Sequence, residues 1–196
     1  GKVFMKSIRK MVVKVGTSTL TQGGKKLSRR YMLELVQQLV YLQNQGIQVV
    51  LVSSGAIAAG RELLNFPKIE RSLPAKQMFS SIGQVKLMQT WSDLFALFEL
   101  HVGQVLLTRD DLSNRKRYLN ARDTLHCLLK HQVVPIINEN DTVATQEIRV
   151  GDNDNLAALV ANLIEADVVV LLTDQEGLYT ADPRLNTDAQ LISVVE

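Results

Sequence analysis

Apolar residues in this chain occur in two kinds of pattern. Short, mainly apolar runs at 11–15, 47–52, 101–107, 133–137 and 167–172 alternate with longer stretches where apolar positions recur every three or four residues. Continuous runs of this length predict parallel strands covered on both faces, because a strand with one wet face would alternate. The intervening stretches predict helices. Ser28 can cap a helix carrying Met32, Leu35, Val36, Leu39 and Leu42 on one face, with Gly46 closing it. A small-residue helix is expected over 56–64, a long helix or a broken pair over 75–98, and further helices over 115–130 and 156–164. Residues 65–74, with two prolines, read as a loop. The polar stretch 142–150 is too short for another strand–helix unit and reads as a hairpin or flap. The alternation gives an α/β fold: a mainly parallel sheet sandwiched between helices.

Length and composition fit that picture. The chain has 196 residues, enough for one domain with a full core. A single cysteine, Cys127, excludes an intrachain disulfide and suits a reducing, cytoplasmic setting. The basic start is not followed by a signal-type apolar segment, and no run reaches the ~20 residues of a membrane span. Residues 1–10 read as an N-terminal extension or an expression remnant, and 11–196 as the domain. Net charge is only +2, but up to Gln132 there are 20 Lys and Arg against 8 Asp and Glu, and beyond it 2 against 12. The basic clusters are short, scattered and free of interleaved aromatics, so neither nucleic acid nor a membrane is expected as a partner.

Candidate chemistry lies where the strands end. Asn138-Glu139-Asn140-Asp141 follows the fourth apolar run, and Gly151-Asp152-Asn153-Asp154-Asn155 opens the next helix. Capping needs one such side chain, not four, and these residues compete with their own backbone for hydrogen bonds. Two such loops at the C-terminal edge of a sheet point to a polar, multiply charged small ligand. Lys14, between Val13 and Val15 in an apolar strand, needs a partner there. Ser53-Ser54-Gly55 offers free amides at a helix start, suited to an anion, although an ordinary cap explains it equally well. No phosphate-binding loop of the Gly-x-x-x-x-Gly-Lys type and no Gly-x-Gly-x-x-Gly occurs. His101, His126 and His131 are scattered without metal spacing, and Cys127 reads as a core residue. Trp91, Phe95 and Phe98 read as core or interface.

Taken together and in order, Lys14-x-Gly16-Thr17-Ser18, Ser54-Gly55-Ala56, Gly83-Gln84, Asn120-Ala121-Arg122-Asp123-Thr124-Leu125, Asn138-Glu139-Asn140-Asp141, Gly151-Asp152-Asn153-Asp154-Asn155 and Thr173-Asp174-x-x-Gly177-Leu178-Tyr179-x-x-Asp182-Pro183 resemble the glutamate 5-kinases of the amino acid kinase family. The resemblance implies ATP-dependent phosphorylation of the L-glutamate side-chain carboxylate, the first step of proline biosynthesis, with Mg²⁺ required. It implies that Lys14 contacts the transferred phosphoryl and that Asp154 orients active-site lysines. Ser54, Gly55, Asp141 and Asn153 are the implied glutamate positions. Gly16, Thr173, Asp174, Tyr179 and Asp182, with Lys14, are the implied nucleotide positions. No protein ligand to a metal is implied. Self-association into a homo-oligomer and feedback inhibition by proline are expected on the same ground.

Members of that family continue with a glycine-rich segment bearing a second lysine, and many add an RNA-binding-like domain. This chain has no lysine after Lys130, so a C-terminally incomplete kinase domain with impaired turnover is expected. The alternatives are a non-catalytic amino-acid-sensing module of the same fold, or a kinase acting on another carboxylate, a carbamate or UMP.

Overall fold

The computed structural model describes residues 7–143, 152–173 and 191–193. Five strands, β1 (Lys10–Val15), β2 (Gln48–Ser53), β3 (Val102–Leu107), β4 (Val134–Glu139) and β5 (Val168–Leu172), run parallel in the order β3-β4-β2-β1-β5. A short strand, β6 (Leu191–Ser193), pairs antiparallel with β5. The helices are α1 (Thr17–Thr21), α2 (Arg29–Asn44), α3 (Ala56–Leu63), α4 (Leu73–Ala96), α5 (Arg109–Ser113), α6 (Arg115–Lys130) and α7 (Asp152–Ile164). The expected sandwich is present, and the stretch expected over 75–98 is one long helix rather than a pair, opened by Leu73 and Pro74 of the expected loop and ending at Ala96.

The apolar runs of β1, β2, β4 and β5 are explained by two cores, one on each face of the sheet, whereas β3, at the edge, is only partly buried and exposes Gln104. Met11, Val13 and Val15 of β1 join Val49 and Leu51 of β2 in a core shared with α2, α3 and α4. Val12, Val50, Val52 and Ile137 point the other way, into a core closed by α6 and α7. Side chains alternate between faces along a strand, so a strand buried twice must be apolar at every position. Lys14 shares the face of Val12 but is charged. It therefore points toward α7.

Connections leave the middle of the sheet in opposite directions. From β1 the chain passes through α2 to β2, while from β4 it crosses through α7 to β5 on the other side of β1. Such a reversal opens a crevice at the carboxyl ends of the strands, where ligands of α/β sheets bind. The caps agree with the expectation: the Ser28 side chain accepts from the Tyr31 amide, and Gly46 takes the left-handed conformation after α2 at φ 88°.

Several expectations are corrected. Ile8 packs in the core and Lys10 opens β1, so the fold takes in the last residues of the segment set aside as an extension. Cys127 is exposed, because α6 buries Ala121, Leu125 and Leu129 and a residue two positions past Leu125 faces away from that stripe. Asn153 and Asp154 stand in the first turn of α7, not in a loop before it. The short helices α1 and α5 carry too little apolar periodicity to be seen in the sequence. Among the described residues, no helix is long and apolar enough to cross a membrane. The hairpin or flap expected at 142–150 lies almost wholly outside the described residues.

Candidate active site

A cleft of about 780 Å³ opens at the carboxyl ends of β1, β2 and β4. Lys14, Gly16, Ser54 and Gly55 form its floor, and Asn138, Asp141 and Asn153 line one wall. Local backbone geometry makes the floor. Gly55 caps α3 at φ 108°, where a side chain would be strained and its Cβ would approach Leu20 Cδ1 to 2.9 Å. The Ser54 amide donates to the Val15 carbonyl at 3.0 Å, tying the end of β2 to that of β1.

Lys14 is mostly buried, and its Nζ lies 2.7 Å from Asp154 Oδ1. Asp154 is half exposed, in the first turn of α7, where a carboxylate is favoured by the helix dipole. The ion pair solves the problem Lys14 poses in the sequence: a cation on a buried strand is met by a carboxylate on α7, which the sheet order brings beside it. The ammonium is held at the floor of the cleft with protons left over for a ligand.

The wall is built from amides and hydroxyls. Asn153 Nδ2 donates to Ser54 Oγ at 2.6 Å and to Asn138 Oδ1 at 3.2 Å. Asn138 Oδ1 also accepts from the Glu139 amide at 2.8 Å, and its Nδ2 donates to Gln84 Oε1 at 3.1 Å. Gln84 Nε2 in turn donates to Gln104 Oε1 at 3.2 Å. Asp141, buried, accepts from Ser80 Oγ at 2.9 Å through Oδ2, and its carbonyl accepts from Gln77 Nε2 at 3.1 Å. Beneath the floor, Trp91 Nε1 donates to Ser53 Oγ at 3.0 Å, and that hydroxyl donates to the Ser54 carbonyl at 2.8 Å.

The opposite wall is cationic. Lys25 and Arg61 line it with Phe66, while Lys76, at the start of α4, adds a further cation to the cleft lining. Arg61 sits over the Phe79 ring at 5.0 Å and Lys25 over Phe66 at 5.9 Å. The 22–27 loop that carries Lys25 is anchored by Glu62, whose Oε1 accepts from the Leu27 amide and Arg29 Nη1, each at 3.0 Å. Burial raises the Glu62 pKa, but the hydrogen bonds from Arg29 and Leu27 and the charges of Arg29 and Lys26 outweigh it. The carboxyl therefore titrates below its ordinary range.

The structure thus brings together Lys14, Gly16, Ser54, Gly55, Asp141, Asn153 and Asp154, seven residues expected from the sequence. Thr173 follows β5 at the same sheet edge, next to the end of β1, but does not line the cleft. Asp174, Tyr179 and Asp182 lie outside the described residues. Among the described residues there is no group of three His, Cys, Asp or Glu side chains able to hold a metal ion. Sequence reasoning assigned no role to Ser80, Gln84, Arg61 or Glu62. Polar side chains at i, i+3 and i+7 along one face of α4 (Gln77, Ser80, Gln84) were the available signal.

The chain is similar to known proteins over nearly its whole length. The chain is 56% identical over 186 residues to a protein named glutamate 5-kinase in Haemophilus influenzae (strain PittGG), covering 95% of this chain and 50% of the relative. A protein of the same name in Pasteurella multocida (strain Pm70) is 54% identical over 192 residues, covering 98% and 52%. One from Shewanella oneidensis is 56% identical over 188 residues, covering 96% and 50%. The chain therefore spans about half the length of the curated relatives it matches. The model of the amino acid kinase family matches residues 9–196, and the chain belongs to that family.

Proposed function

We propose that this chain forms the acceptor half of a kinase that phosphorylates the side-chain carboxylate of L-glutamate with ATP. The observation that carries the proposal is the Lys14–Asp154 pair, which fixes an ammonium at the floor of a polar cleft beside Ser54 and Asn153. The relatives' names supply the acceptor.

The chemistry asks little of acid–base groups. A carboxylate is ionised at neutral pH, so it attacks the γ-phosphorus without a general base. An O–P bond forms to the glutamate side chain, the bond from phosphorus to the β–γ bridging oxygen breaks, and ADP leaves with the electron pair. What remains is alignment and neutralisation of charge on the phosphoryl oxygens. Lys14 supplies positive charge, held in place by Asp154. The backbone at Gly16 and Gly55 allows close approach to the phosphoryl. Asp141 pairs with the substrate ammonium, while Ser54 and Asn153 hydrogen-bond the rest of the amino acid. Thr173, Asp174, Tyr179 and Asp182 belong to the proposed nucleotide side. Mg²⁺ would arrive on the nucleotide phosphates, which is how this ion commonly binds, and no step here is routed through it.

The same reading places the protein in the cytoplasm as a homo-oligomer, with residues 11–196 as kinase domain and proline as feedback inhibitor. The test is ADP release by the intact gene product, with hydroxylamine trapping of the acyl phosphate, over a panel of acceptors. Hydroxamate formed only with glutamate is expected. No glutamate dependence, or equal turnover with aspartate or acetylglutamate, overturns the proposal. Glutamate binding by calorimetry without turnover would make the protein a sensor instead.

A further inference from the structure

The side chains that line the acceptor wall do not hold themselves in place. One helix, α4, reaches both of its buried members: Ser80 bonds the Asp141 carboxylate, and Gln84 bonds the Asn138 amide. These two residues lie four apart and so share a face of the helix. That face is pressed onto the site, because α3 and α4 touch backbone to backbone. A Cβ on Gly83 would fall 1.6 Å from the Ala56 carbonyl oxygen, just behind the floor residue Gly55.

The amide chain has a direction that chemistry fixes. The Glu139 backbone N–H can only donate, so the Asn138 atom facing it must be the oxygen. The other end of Asn138 is then the NH₂ group, and it needs an acceptor, which Gln84 Oε1 provides. Asn153, facing the same Asn138 oxygen, must present its own NH₂ there. That NH₂ also donates to Ser54 Oγ. With its oxygen accepting, the Ser54 hydroxyl is left to donate its proton, the polarity a substrate carboxylate requires. Remove the Gln84 acceptor and the buried Asn138 NH₂ loses its partner, which penalises the one orientation that sets this order.

We propose that Gln84 and Ser80 are positioning residues for the amino-acid acceptor: Gln84 completes and locks the Asn138 orientation on which the polarity of the Asn138–Asn153–Ser54 chain depends, and Ser80 sets the direction of the Asp141 carboxylate. Neither touches substrate. The proposal rests on the kinase reading above and deepens it, since it concerns how the same cleft selects its acceptor.

The test uses the intact gene product and separates the two substrates. Gln84→Met removes the acceptor at nearly constant volume, Ser80→Ala removes the hydroxyl, and Gln84→Glu restores an acceptor for Asn138. Gln84→Met and Ser80→Ala should each raise the glutamate KM by roughly 5- to 50-fold, the range of a lost partner to a buried polar group. The ATP KM should stay within about twofold, and Gln84→Glu should bring the glutamate KM back to within about threefold of wild type. A glutamate KM unchanged in both deletions, equal rises in both KM values, or no rescue by Gln84→Glu overturns the proposal. So does loss of the fold in either deletion variant, which would make the residue structural. Absence of glutamate-dependent ADP release in the wild type is a different failure: it removes the kinase reading and the inference with it.

Discussion

Across the cleft, the wall formed by β4, α4 and the start of α7 is a mesh of amides and hydroxyls. The wall formed by the 22–27 loop and α3 is cationic and rests on an anchored carboxylate and two cation–aromatic contacts. Directional hydrogen bonds among part-buried groups fix atoms to within a few tenths of an ångström and fail together when a partner is lost. Exposed cations act at longer range, tolerate displacement and weaken with salt. One wall is suited to choosing a ligand by shape and polarity, the other to drawing in anions. Lys14 lies on the floor between them and shares features of both, being a cation that is mostly buried and paired.

The largest effect should come from the floor. Lys14→Ala removes the positive charge proposed to meet the transferring phosphoryl, and kcat should fall by roughly 10²- to 10³-fold, the usual cost of losing such a donor. The glutamate KM should move by less than about threefold. Asp141→Ala should give the mirror image, a glutamate KM raised by ~10- to 100-fold with a smaller loss in kcat. Steady-state kinetics of the two variants decides the matter. If Lys14→Ala acts mainly on KM, its assigned role is wrong.

Next comes the contact that presses α4 onto the site. Gly83→Ala places a methyl group where the Ala56 carbonyl oxygen stands, and backbone cannot step aside as a side chain can. The helices must separate, at a cost of about 1–3 kcal/mol or more, read as a lower thermal midpoint. Because α4 carries Ser80 and Gln84, the glutamate KM should rise with the loss of stability. A midpoint within a degree of wild type would show that α3 and α4 accommodate the methyl group.

How much of this was legible before the structure depends on whether the signal was local. Strands buried on both faces announce themselves as apolar runs, and Ser28 and Gly46 mark the ends of α2 by their own conformational chemistry. Lys14 was legible because a cation amid valines is costly. Its partner was not derivable from spacing, since Asp154 is 140 positions away and the sheet order brings them together. Asn153 and Asp154 read as loop in the sequence because Asn and Asp are poor helix formers, yet both suit a first turn, where free N–H groups can donate to their side-chain oxygens. Ser80, Gln84 and Glu62 act through residues far along the chain. Nothing in their immediate neighbours shows that contact. Cys127 was misplaced because its flanking leucines suggested core, and only the phase of α6 separates the buried face from the exposed one.

The cationic wall has its own point of failure, and pH reaches it. Glu62 has a folded-state pKa below its ordinary value of about 4.3, so its stabilising effect is complete above that value. It is lost as pH falls through the lower folded-state pKa. Glu62→Gln should therefore lower stability near neutrality by about 1 kcal/mol, and the gap from wild type should close on acidification below pH ~4. Thermal melts of both proteins from pH 7 to pH 3 measure this directly. A gap that stays constant over that range would mean that the Glu62 charge contributes nothing to anchoring the 22–27 loop.

The smallest effect is also the sharpest contrast between the walls. Lys25 is exposed, and its ammonium lies 5.9 Å from the Phe66 ring, a contact worth at most about 0.5–1 kcal/mol at such a site. Lys25→Gln should leave the thermal midpoint nearly unchanged. Its effect should appear in the KM values at low ionic strength, as a rise of no more than about threefold. That rise should vanish near 1 M salt, where the screening length falls to ~3 Å. The Gln84→Met rise in glutamate KM should persist at the same salt, because short hydrogen bonds between neutral amides are not screened. Equal salt dependence in the two variants would mean that both walls work through charge, and the division between a selecting wall and an attracting one would not hold.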